Sequence, residues 1–178
     1  MLFFAFNIKK MKKKISQEYS FGEHYYAVQI QSQLADYQFT WSLNNGMRID
    51  FRKLPELSVY DPKKAESLPY NLYRWSSPNA IDYFLVTPLE KPAALSSETF
   101  LLIEKRERRE NVDRFIEKTS AFGFVFSIEE ITPDAPPAKI AKHRQRIEHL
   151  NNIAIDLEQH LDTLKYESHR KLPFLSGI

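Results

Sequence analysis

ADYQFTWSLNNGMRIDFRK, residues 35–53, decides the fold and reads two ways. Tyr37, Phe39, Trp41 and Leu43 alternate strictly, Asn44, Asn45 and Gly46 supply turn residues, and Met47, Ile49 and Phe51 alternate again, which is the pattern of a β-hairpin. The rival reading lets Asp36 cap a short helix that carries Tyr37 and Trp41 on one face, ahead of a strand over Met47–Arg52. The first reading adds two strands to a sheet, and the second lays a helix across one.

Upstream, HYYAVQIQ predicts a strand over Glu23–Gln31, with Tyr26, Val28 and Ile30 on one side. Downstream, Pro55, Pro62 and Pro69 with Asp61, Lys63 and Lys64 mark residues 54–69 as a loop. Tyr70–Ser76 and Ile81–Thr87, joined by SSPNA, read as an antiparallel hairpin, and a strand follows a second loop at Thr99–Glu104. Asn111–Ala121 places Val112, Phe115, Ile116 and Ala121 near one helical face, and Gly123 then leads into the strand FVFSIEEI. The whole is an α+β fold, a mostly antiparallel sheet covered by helices, with a long C-terminal helix.

That last helix is the clearest element. Asp134, Pro136 and Pro137 stand where helices start, and no Gly or Pro interrupts Ala138–Tyr166, a rod of about 43 Å. Ile140, Ile147, Leu150, Ile153, Ala154, Leu157, Leu161 and Leu164, with His143, form a heptad-like apolar seam along it. Either its own sheet covers this seam or a partner does. A domain of this size is about 30–35 Å across, so part of the rod is expected to project and meet a second copy or another protein.

Domain limits follow: a basic tail or misplaced start over residues 1–16, an α+β body over 17–133, the amphipathic helix over 134–166 and a tail over 167–178. The order of MLFFAF and the Lys run after it is the reverse of a secretory signal, and Met11 is an alternative first residue. No run of residues has the length and apolarity of a membrane span. Without Cys there is no disulfide framework, thiolate nucleophile or Cys-ligated metal, and the expected compartment is the cytoplasm. The formal charge of +2 comes from the N-terminus, because residues 1–14 carry five Lys and the rest nets −3.

Four Gly exclude a phosphate-cradling or dinucleotide loop. His149 and His160 share a helical face but lie about 16 Å apart along it, too far for one ion. Asp156 with His160 could hold a metal or simply form a surface pair, and Asp82 with Glu98 could be an acid pair or ordinary strand carboxylates. Neither pair points to catalysis, so the catalytic, cofactor and metal sets are all expected to be none. Tyr60, Tyr70, Tyr73, Trp75 and Tyr83 could stack bases, although core packing is their commoner fate. Lys139, Lys142, Arg144 and Arg146 oppose the helix dipole near its start. Glu129 and Glu130 could offset them, or an anion could. Together with Lys12, Lys13 and Lys14 they are the candidate RNA contacts; DNA and membrane are not expected partners.

From Gln17 to about Val86 the chain resembles the IPExxxVDY family of uncharacterised bacterial proteins, through QEYSF, LADYQFTWSLNNGMRIDFRK, YNLYR and IDYFLV. Asp36, Tyr37, Phe39, Trp41, Leu43, Asn44 and Arg52 carry the likeness, while residues 91–104 keep only Pro92 and the acid Glu98 of the naming signature. The resemblance implies the short helix at Asp36 and no assigned activity, cofactor or site residue. Family members are encoded near a double-strand ribonuclease gene, which adds to the RNA reading. The expected function is a non-enzymatic interaction or self-associating protein acting through residues 138–166, the alternative being an RNA-associated accessory protein.

Overall fold

A computed structural model describes residues 19–89 and 99–175, with side chains to Ser168. The N-terminal tail, including Lys12, Lys13 and Lys14, and the acid Glu98 lie outside the described residues. In chain order the elements are α1 (Phe21–His24), β1 (Tyr25–Ser32), α2 (Asp36–Met47), β2 (Arg52–Asp61), β3 (Glu66–Ser76), β4 (Asp82–Pro88), β5 (Thr99–Glu104), α3 (Arg109–Ser120), β6 (Val125–Ile131) and α4 (Pro137–Leu175). The strands form one six-stranded sheet in the order β2-β3-β4-β5-β1-β6, antiparallel at every junction. The α+β class is therefore as expected.

Alternation along the central strands sends side chains to two cores, so both faces of the sheet are covered and the strands read as apolar runs. On one face Ala27, Leu72, Phe84, Val86, Phe100 and Leu102 pack with Leu150, Ile153, Ala154 and Leu157 of α4. On the other, Val28, Ile30, Leu85, Leu101 and Ile103 pack with Phe39 and Leu43 of α2 and Val112 and Phe115 of α3. The molecule has three layers, with α2 and α3 on one side and α4 on the other.

Residues 36–47 are helical, against their alternation. A helix satisfies that pattern too: Phe39 and Leu43 point inward, and Tyr37 and Trp41 outward. Ala35 rather than Asp36 is the N-cap, and Asn44-Asn45-Gly46 ends the helix before Arg48 in the left-handed region (φ 54°) instead of turning a hairpin. Residues 54–69 are a second correction, since they are β2 and the start of β3. Pro55 is tolerated because β2 is an edge strand, bulged between Leu54 and Leu57. The Pro69 carbonyl accepts from Leu89 N–H, so its missing N–H faces the end of β4, where pairing stops. Pro62 falls in the β2–β3 turn. Thirdly, α4 continues past Tyr166 to Leu175, with Pro173 in its last turn. Among the described residues no helix is long and apolar enough to cross a membrane.

Candidate functional site

The seam of α4 is the first feature to place. Leu150, Ile153, Ala154 and Leu157 are fully buried against the sheet, and Ile147 and Leu161 pack on the same cluster. Ile140 and Leu164 are partly exposed and stand outside it. The expected partner-facing seam is thus, over its middle two turns and more, the subunit's own core. The physical reason is reach. Six strands at about 4.8 Å spacing are about 24 Å wide, and His143 to His160 rises about 26 Å. Those two residues mark the crossing. His143 Nε2 lies 3.1 Å from Glu129 of β6, one edge, while His160 Nε2 donates to the Pro55 carbonyl of β2, the other edge, at 3.0 Å. Asp156 accepts the Tyr60 N–H at 2.9 Å. Beyond Leu161, residues Asp162 to Ser168 are exposed apart from Leu164, and Tyr166 is 67% exposed.

The Asp156–His160 spacing therefore serves an edge strand. Among the described residues no group of three His, Asp or Glu could hold a metal ion. Asp82 is occupied by Arg74 at 2.7 Å and by the Ser76 hydroxyl. Tyr70, Tyr73 and Tyr83 are buried, and Trp75 packs on Tyr83 and Phe115, so these rings are core rather than a stacking platform. Of the basic cluster, Arg146 pairs with Glu129 at 3.2 Å, whereas Lys139, Lys142 and Arg144 are exposed. Glu130 is taken by Arg109, which grips both its oxygens at 2.5 and 2.6 Å.

A cleft of about 740 Å³ opens between the β2–β3 turn and α4, lined by Asp61, Lys63, Lys142, Arg146, Glu148 and His149 among others. At its floor the Tyr70 hydroxyl meets His149 Nε2 at 3.1 Å, a contact 79 residues apart in sequence. Its mixed charges suit a polar solute held by hydrogen bonds.

The most distinctive surface belongs to α2. This helix is fixed from beneath at both ends. The Asp36 carboxylate accepts from Asn71 Nδ2 at 2.7 Å and from the Tyr73 hydroxyl at 2.8 Å. Burial, and then Asp36 itself, pushes that hydroxyl above its ordinary range, so it stays a donor. Asn44 clamps Phe51, accepting its N–H at 2.8 Å and donating to its carbonyl at 3.0 Å. Phe39 and Leu43 are buried. On the opposite side Tyr37 and Trp41, one turn apart, are 65% and 69% exposed. Arg48, the residue that ends the helix, is exposed and without an ion pair among the described residues. The fold accounts for Asp36, Phe39, Leu43 and Asn44; Tyr37 and Trp41 add nothing to it.

No protein family, curated protein or solved structure matches the chain. The chain is an α+β protein with an anchored helix that presents two aromatic side chains to solvent.

Proposed function

We propose that this is a non-enzymatic interaction protein that docks a different polypeptide on α2 through Tyr37, Trp41 and Arg48. One observation carries the reading: Tyr37 and Trp41, two of the three most exposed aromatics of the described residues, sit together one turn apart on a helix held from below. Trp, Tyr and Arg dominate the energetic centres of protein interfaces, and the two aromatic side chains bury large areas at a low cost in side-chain entropy. Anchoring through Asp36 and Asn44 means the stripe is ordered before the partner arrives, which removes part of the cost of binding. The partner that fits is an apolar groove edged by a carboxylate for Arg48. The docking surface is α2 rather than α4, whose apolar stripe packs on the sheet.

The test is photo-crosslinking from a benzoylphenylalanine at position 37 in extract of the native cell. The expected result is one dominant protein adduct, lost with Trp41→Ala and kept with Lys142→Ala. Adducts that are diffuse, or indifferent to Trp41→Ala, overturn the reading. RNA recovered instead, released steeply as salt rises and sensitive to Lys139, Lys142 and Arg144, would favour the RNA-associated alternative.

A further inference from the structure

The two edges of the sheet are treated differently. On β2 the edge is interrupted by Pro55 and a bulge, and α4 binds two of its backbone groups, the Tyr60 N–H through Asp156 and the Pro55 carbonyl through His160. These are the usual devices that stop a sheet from growing. On β6 the strand pairs with β1 on one side, and among the described residues nothing pairs with it on the other. It contains no Pro and no Lys, and Phe126 is 58% exposed. Its one irregularity, opposite Gln31 and Ser32, falls near Val125 and leaves Ser127–Ile131 in regular register.

Two carboxylates, Glu129 and Glu130, would ordinarily repel a second copy of the same strand. Here each is compensated within its own subunit, Glu129 by Arg146 and His143 and Glu130 by Arg109. We infer that β6 is a self-association edge, across which two copies of this chain join antiparallel into one continuous sheet. A two-fold axis between strands passes through a residue opposite its own copy. Placed at Ile128, that axis sets Glu129 opposite Ser127 and brings Glu130 to the bulged end of the strand at Phe126. No carboxylate then meets another. Moving the axis to Glu129 or Glu130 sets two carboxylates opposite each other, and moving it to Ser127 leaves Glu130 and Ile131 unpaired, so the charge pattern selects Ile128. A foreign strand would need no such self-complementarity, which is why a second copy is the occupant chosen.

Sedimentation velocity on the full chain over the micromolar range, with hydrogen exchange read at the β6 amides, tests this. The expected result is a dimer whose β6 amides are protected in proportion to dimer formed, weakened about tenfold or more by Ser127→Glu, which sets a carboxylate opposite Glu129 of the second copy, and unaffected by Trp41→Ala. A monomer at every concentration overturns the inference. So does a dimer whose β6 amides exchange freely, or β6 protection that appears only when another protein is added. The exchange measurement on the unaltered chain decides the matter even if Ser127→Glu folds poorly.

Discussion

Replacing Leu157 by Ala separates the two roles that the seam of α4 could have. Leu157 is fully buried, among Leu150, Ile153 and Ala154 of its own helix and the apolar residues of the sheet, including Leu57, Val59 and Leu72. The change deletes three carbons, about 2.4 kcal/mol of transfer free energy at about 0.8 per carbon. A cavity term adds to this, because α4 is tied at both sheet edges and cannot settle inward to fill the space. Leu→Ala changes of this kind cost about 2–5 kcal/mol, and the upper half of that range is expected here. Urea unfolding of both proteins, each at a low and a high chain concentration, measures it. The difference between variant and wild type should be the same at both concentrations, with an unchanged slope. Leu164→Ala, beyond the β2 edge, should cost well under about 1 kcal/mol. If Leu157→Ala proves nearly neutral, or if its cost grows with protein concentration, the seam lies between chains and the packing described above is wrong.

Two further predictions concern polar contacts. Burial pushes the Glu107 carboxyl up, but hydrogen bonds from Tyr83, Asn111 and the Arg108 amide outweigh it and hold the group below the ordinary carboxylate range. Its contribution is therefore present above the unfolded value of about 4.3 and is lost as pH falls through the folded one. Glu107→Gln should cost about 1.5–3 kcal/mol at neutral pH, and that cost should shrink on acidification in thermal melts. Asn44→Ala strips both hydrogen bonds from the backbone of Phe51, which is 4% exposed. A loss of about 1–3 kcal/mol is expected in the same assay, with faster exchange of the Phe51 amide.

Much of this architecture was legible from the residues. The β3–β4 hairpin, β5, α3, β6 and the start of α4 follow from periodicity and from turn chemistry. Residues 37–43 were not decidable by pattern, because large apolar groups at every second position satisfy a strand and also a helix with one stripe in and one out. Only the exposure of Trp41 distinguishes them, and exposure is a tertiary fact. The prolines of residues 54–69 misled for a related reason. Proline forbids a ladder hydrogen bond only where a partner strand stands, and which side of β2 is open cannot be seen locally. The spacing of residues marks the seam as apolar, but what covers it depends on the width of the sheet compared with the rise of the helix. The meeting of Tyr70 with His149, and the use of Asp156 and His160 on β2, join residues far apart in sequence and had no local signal. The α2 stripe was in view from the start as Tyr37 and Trp41, with nothing to say that both would stay in water.

Because α4 follows all six strands in sequence and packs on one face of the sheet, synthesis leaves that face bare until α4 emerges. When Ile131 leaves the ribosome all six strands exist, yet Leu72, Phe84, Val86, Phe100 and Leu102 have no cover until Leu150 to Leu157 follow. The β2 edge likewise gains its two caps only with Asp156 and His160. The nascent chain thus passes through a stage that is greasy on one side and open at both flanks, the kind of species that chaperones shield.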